Sequence, residues 1–194
     1  MEVPVLGPSV PRRGNRITAA VGRFALGIFG WRLEGGFPDL PKFVVIGAPH
    51  TSNWDFYFAM AGMFALGLRA SWLGKASLFR GPAAWYMRWL GGIPVRRDRH
   101  EGVVEDTVEA FRAREQLVVG LSPEGTRKKV KRWRTGFYHI AAGAKVPVVL
   151  VALDYANRVI RLGPAVTPTG NLRADMALIR GHYAKVQGKH PDRF

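Results

Sequence analysis

The feature that most constrains this chain is a succession of short apolar runs rich in β-branched residues, separated by segments of helix length. Phe43-Val44-Val45-Ile46, Leu117-Val118-Val119 and Val148-Val149-Leu150-Val151 are the clearest of them. None alternates apolar with polar residues, so each suits a strand buried on both faces. Strands are expected over 43–48, 70–74, 93–96, 117–121 and 146–153, with an edge strand over 159–162. Helices are expected over 54–68, 83–90, 101–114, 136–143 and 171–187, with the last few residues frayed. Strand and helix thus alternate along the chain, which predicts an α/β fold: a mostly parallel sheet flanked by helices.

At 194 residues the chain reads as one domain with a sizeable core, and its 47% hydrophobic content argues against extensive disorder. Residues 1–15 form a Pro- and Gly-rich arm. A mostly apolar helix is expected over 17–33, so 1–33 reads as an N-terminal attachment to a main domain at 34–194. That helix carries Arg16, Arg23 and Arg32 beside Phe24, Ile28 and Phe29. It fits either a helix packed on the core or an interfacial helix whose arginines meet lipid headgroups. The longest stretch without formal charge, 56–68, is 13 residues. A bilayer span needs about 20. The N-terminus does not read as a signal peptide, because Pro4, Pro8 and Pro11 precede the basic residues.

Cysteine is absent, which excludes disulfides, thiolate metal sites and a cysteine nucleophile. Lys and Arg number 29 against 14 Asp and Glu, a net charge of +15. That balance favours anionic partners: nucleic acid, acidic lipid surfaces, phosphorylated substrates or an acidic carrier protein.

Two polar clusters sit directly after expected strands, where open α/β sheets place their sites. The first is Gly47-Ala48-Pro49-His50-Thr51-Ser52-Asn53-Trp54-Asp55. Positions i and i+5 diverge by about 140° on a regular helix. His50 and Asp55 therefore meet only if His50 precedes the helix and Asp55 lies in its first turns, with Ser52 or Asn53 as the cap. His50 would then serve as general base, and Asp55 would orient its ring and stabilise the imidazolium. A capping histidine beside an unrelated aspartate fits the same spacing. No Gly-x-Ser-x-Gly elbow accompanies the pair. With no evident protein nucleophile, direct attack by a substrate hydroxyl on an activated donor is the natural reaction.

The second cluster is Ser122-Pro123-Glu124-Gly125-Thr126-Arg127. Gly125 permits close backbone approach, Arg127 offers a planar fork for phosphate, and Glu124 suits a substrate hydroxyl. An ordinary turn with a surface salt bridge has the same composition. Arg96, Arg97 and Arg99 come after another expected strand, as phosphate ligands or as a solvated basic loop. Lys128, Lys129, Lys131, Arg132 and Arg134, with Trp133 among them, form the densest charge run. It suits nucleic acid, a membrane surface or an acidic acyl carrier protein. His100, His139, His182 and His190 show no metal-ligand spacing.

Together these residues resemble the glycerolipid acyltransferase family, which includes the enzymes that acylate lysophosphatidic acid. Four ordered blocks within about 40–155 carry the resemblance. They are His50 with Asp55 (His-x4-Asp), Gly92-Ile93-Pro94-Val95-Arg96, Pro123-Glu124-Gly125-Thr126-Arg127 and Val146-Pro147-Val148-Val149. Three positions depart from the usual pattern: Pro94 and Ser122 stand where the family commonly has bulkier residues, and Lys128 where it commonly has serine. All three lie in or beside the blocks that contact the acceptor.

The resemblance implies a glycerol-3-phosphate acyltransferase-like α/β domain, monotopic on the cytoplasmic face of a membrane. It implies O-acyl transfer from an acyl thioester, acyl-CoA or acyl carrier protein, to a lysophospholipid such as 1-acylglycerol-3-phosphate. An anionic membrane surface is an implied partner, and neither a metal, another cofactor nor a specific nucleic acid is. His50 is then the base and Asp55 its orienting partner. Glu124, Gly125 and Thr126 belong to the acceptor site, and Arg96 and Arg127 bind its phosphate.

Overall fold

The computed structural model describes residues 2–82, 84–95 and 102–194. Within them lie seven strands: β1 (Arg32–Gly35), β2 (Lys42–Ala48), β3 (Ser71–Lys75), β4 (Gly92–Val95), β5 (Leu117–Leu121), β6 (Val148–Asp154) and β7 (Val159–Val166). They form one sheet in the order β1-β7-β6-β2-β5-β3-β4. β6, β2, β5, β3 and β4 run in one direction. β7 returns antiparallel to β6 in a hairpin, and β1 runs parallel to β7. The helices are α1 (Arg16–Gly27), α2 (Trp54–Leu66), α3 (Ala84–Trp89), α4 (Val103–Arg112), α5 (Gly136–Ala144) and α6 (Leu172–Tyr183).

The sheet is covered on both faces, which is why its central strands are continuously apolar. All seven residues of β6 are buried. Val44, Ile46 and Ala48 of β2 point to one face, where they meet Phe111 of α4, Phe137 and Ile140 of α5, and Ile179 and Tyr183 of α6. On the other face Val151 and Leu153 meet Leu26 of α1 and Phe58 and Ala61 of α2. Pro94 is accommodated because β4 lies at the sheet edge, paired only with β3, so its missing N–H interrupts no ladder on the outer side.

Three expectations from sequence need correction. The helix expected over 17–33 stops at Gly27: Gly30 turns the chain with φ +68°, and its N–H donates to the Gly27 carbonyl at 2.9 Å. The chain then enters β1, so position 33 lies inside the sheet rather than at its border. The strand over 159–162 is not an edge, because β1 pairs along its outer side. The C-terminus does not fray either: Gly188 is buried, and Phe194 packs against Trp133. The arm at the other end is also anchored, with Leu6 and Val10 in the core beside Phe43 and Val118.

α1 meets α2 through small residues. A Cβ placed on Gly22 would stand 2.3 Å from the Ala65 amide nitrogen, so only glycine permits this approach. The large apolar residues Ile17, Val21, Phe24 and Ile28 lie on the opposite face of α1 and are exposed, Phe24 at 70%. A helix of a soluble core shows the reverse arrangement.

Candidate active site

β2 and β5 are hydrogen-bonded neighbours, with Ile46 opposite Leu121. Both chains leave the sheet at the same end, one into Pro49-His50 and the other into Pro123-Glu124. Their parallel register brings the two clusters together: the His50 N–H donates to both carboxylate oxygens of Glu124, at 3.1 and 2.8 Å. The Ser122 hydroxyl donates to the same carboxylate at 3.0 Å. Glu124 is only 5% exposed. Burial pushes its pKa up. The bonds from His50 and Ser122 and the His50 charge offset this in part, while the Asp55 charge adds to it.

Asp55 lies in the first turn of α2 and is 3% exposed. Its Oδ2 accepts from the backbone N–H groups of Thr51 and Ser52, both at 2.7 Å, and faces His50 Nδ1 at 3.2 Å. Its Oδ1 accepts from the Tyr155 hydroxyl at 2.5 Å. Oδ2 thus takes three donors and Oδ1 one, so both carboxylate oxygens are engaged. Burial alone would raise its pKa. Hydrogen bonds from His50, Tyr155 and Ser52, with the His50 charge, outweigh burial and hold it below the usual value. Asp55 is therefore an anion of fixed orientation. Asn53 occupies the helix cap but makes no side-chain cap bond; the Ser52 hydroxyl accepts from the Trp54 N–H at 3.2 Å instead.

The His50 side chain is 30% exposed although its partner is buried. Nδ1 is turned to Asp55, which leaves Nε2 for a reacting group. A histidine so held can remove a proton from a bound hydroxyl, with the adjacent carboxylate to stabilise the imidazolium that results.

The remaining expected residues fall further out. Gly125 has φ +65°, a backbone conformation that favours glycine; a Cβ there would also meet Arg134 Cδ and Nε at 2.9 Å, a contact the exposed arginine side chain can vacate. The Thr126 hydroxyl accepts from the Lys128 N–H at 3.4 Å. Arg127 is exposed and has no ion pair or hydrogen bond among the described residues. Arg96 lies outside the described residues. Among those described, no group of three or more His, Asp or Glu is placed to hold a metal ion.

Two parts of the site were not anticipated. Tyr155 comes directly after β6, the strand on the other side of β2, and so leaves the sheet where His50 does. The rule that sites form beyond the ends of parallel strands, applied to this third strand, would have found it. The second part is a strap formed by residues 187–190. Gln187 accepts from the Tyr155 N–H at 2.9 Å, and the His190 N–H donates to the Thr51 hydroxyl at 3.2 Å. Between them Gly188 lies so close that a Cβ would stand 2.9 Å from the Thr51 side chain and 3.1 Å from Pro49 Cβ. Lys189 places its amine over the Trp54 ring, 4.7 Å from the centroid.

The Acyltransferase family model matches residues 37–154, well over half of the chain and inclusive of His50, Asp55 and Glu124. No curated protein matches the sequence at a significant level. Among solved structures, the 1-acyl-sn-glycerophosphate (LPA) acyltransferase PlsC from Thermotoga maritima shares the fold, with a TM-score of 0.63 at 19% identity. The match covers 89% of this chain and 81% of that one. With a sheet, a paired histidine and aspartate beyond its strand ends, and a family model spanning both, this chain belongs to the Acyltransferase family.

Proposed function

We propose that this enzyme transfers a fatty acyl group from an acyl thioester to a hydroxyl of a lysophospholipid such as 1-acylglycerol-3-phosphate, at the cytoplasmic face of a membrane. The observation that carries the reading is the His50 Nδ1 to Asp55 Oδ2 contact of 3.2 Å, with the imidazole partly exposed and the carboxylate buried. His50 Nε2 takes the acceptor's hydroxyl proton as its oxygen attacks the thioester carbonyl. The C–S bond breaks, and the thiolate recovers the proton from the imidazolium. An ester and a free thiol result, and no redox change occurs.

The acceptor's phosphate is assigned to Arg127, with Arg96 as its expected companion. An exposed arginine without an ion pair suits a bidentate phosphate contact. The exposed basic residues Lys128, Lys129, Lys131, Arg132 and Arg134 extend that positive field and favour an anionic donor, acyl-CoA or an acidic acyl carrier protein. A cavity of about 160 Å³ beside Glu124, lined by Trp133, Tyr183, Phe194, Arg180 and Arg193, offers the acceptor a mostly apolar recess with arginines at its margin.

Membrane attachment is supported by α1, whose exposed apolar face is flanked by Arg16 and Arg23. Trp85, Tyr86 and Trp89 of α3 are exposed as well, and Trp89 approaches Phe64 of α2 at 5.8 Å. Aromatic residues of this kind settle at the headgroup level. Among the described residues no helix is long and apolar enough to cross a membrane.

The test is acyl transfer by the purified protein, with radiolabelled acyl-CoA and acyl carrier protein offered to a panel of lysophospholipids. Ester formation that needs His50 is expected. Failure with every acceptor, by folded protein in the presence of anionic vesicles, overturns the reading.

A further inference from the structure

The geometry points to Tyr155 as a positioning residue for His50: its hydroxyl holds the one Asp55 oxygen that His50 does not use, and so governs how the carboxylate acts on the imidazole. The inference rests on His50 being the base of the proposed reaction. Tyr155 lies immediately beyond the residues that the family model matches.

Asp55 divides its duties between two oxygens. Oδ2 faces the loop, taking the Thr51 and Ser52 N–H groups and the His50 ring. Oδ1 faces Tyr155, whose hydroxyl approaches to 2.5 Å, the tightest of the four contacts. Without that hydroxyl, a buried oxygen would lose its strongest donor and the carboxylate could rotate about its Cβ–Cγ bond.

The phenol has little freedom to move. Its ring meets Trp31 edge-on at 4.8 Å and 87°, and Phe58 at 5.9 Å and 76°. Its backbone N–H is held by Gln187. Burial, and then the hydrogen bond to Asp55 and its charge, push the phenol pKa well up, so it remains a donor throughout the range in which histidine titrates. The other titratable groups acting on Asp55 are His50 and, through its charge, Glu124 at the end of β5.

A tyrosine in this position withdraws charge from the carboxylate as well as orienting it. Charge shared with the phenol is unavailable to the imidazolium. Removal of the hydroxyl therefore has two separable consequences: looser alignment lowers turnover, and a less neutralised carboxylate favours the protonated imidazole.

Tyr155→Phe tests this, because it retains the ring against Trp31 and Phe58. We expect kcat to fall about tenfold, the loss of one charge-assisted hydrogen bond, with KM for donor and acceptor little changed. The acid limb of the kcat/KM profile moves to higher pH. A variant with wild-type kcat and an unmoved acid limb, altered only in melting temperature, overturns the proposal and makes Tyr155 a packing residue. If the wild type transfers no acyl group, the lipid reading fails, and the positioning role is then read without substrate from the His50 ring resonances by NMR. A pH titration of those resonances identical in wild type and Tyr155→Phe overturns it; a titration moved to higher pH in the variant supports it.

Discussion

His50 and Glu124 are joined through the backbone of one and the side chain of the other: the His50 N–H donates to both Glu124 oxygens. Glu124 thereby fastens the loop that carries His50 to the end of the adjacent strand. The acceptor-site role expected of it from sequence is compatible with this duty, because a carboxylate has acceptor positions on both oxygens. The Ser122 hydroxyl adds a second donor to the same group.

Replacing Glu124 with Gln should separate charge from hydrogen bonding. The folded-state pKa of Glu124 is raised, so the folded chain holds this proton more tightly than the unfolded chain does. The resulting stability is fully present below the unfolded value near 4.5 and is lost as pH rises through the folded value. Ionised Glu124 therefore costs stability at neutral pH. Glu124→Gln keeps an acceptor for the His50 N–H and removes that cost, so its melting temperature at pH 7 should equal or exceed that of the wild type. Thermal melts from pH 4 to 8 check this. A variant that melts well below the wild type at pH 7 would contradict it.

Asp55 behaves with the opposite sign. Its folded-state pKa is lowered, so its contribution is present above the unfolded value of 3.8 and lost as pH falls through the folded value. Asp55→Asn can keep its amide oxygen on the Thr51 and Ser52 N–H groups and turn its N–H₂ to the Tyr155 hydroxyl, which then accepts, but it removes the negative charge that faces His50 Nδ1. Turnover should drop by about 10⁴, as when the orienting aspartate of a catalytic triad is lost. His50→Ala should abolish transfer with the circular dichroism spectrum unchanged. Near-wild-type turnover by either variant would remove the pair from the mechanism.

The strap over the site is testable at Gly188. Valine there has no space beside Thr51 and Pro49. Overpacking at a close contact costs about 1–3 kcal/mol, and Gly188→Val should lose stability of that order. Displacement of the His50 loop should also lower kcat at temperatures where the variant remains folded. Melting curves and turnover at 20 °C, measured together, decide it; wild-type values for both would make the strap dispensable.

On α1 the two faces should respond differently. Phe24→Glu changes an exposed side chain, so stability should stay within about 0.5 kcal/mol of the wild type, while flotation with anionic vesicles is lost. Gly22→Leu forces α1 away from Ala65 and should destabilise the protein markedly. Flotation of Phe24→Glu equal to that of the wild type would dissociate α1 from membrane binding.

Arg127→Ala should raise the KM of a phosphorylated acceptor several-fold and leave kcat nearly unchanged, the pattern of lost uniform binding. An unchanged KM would point to an acceptor without phosphate.

Much of this molecule was legible in local sequence. Apolar runs at 43–48, 117–121 and 146–153 announce buried strands, because a strand covered on both faces leaves no polar position. His50 and Asp55 are close enough in the chain for one loop and one helical turn to bring them together. The helix expected through position 33 ends at Gly27: the apolar Trp31 and Leu33 suit either structure, and pairing with β7 decides for a strand. Tyr155 and Gly188 carry no local sign of their role, lying 100 and 133 residues beyond Asp55. Sequence by itself determined the alternation of strand and helix and offered His50 and Asp55 as a candidate pair, since both arise from side-chain chemistry within a few residues. Tertiary structure alone decided that β5 and β6 flank β2. That strand order brings Glu124 and Tyr155 to the His50–Asp55 pair, and it arises from packing between distant segments.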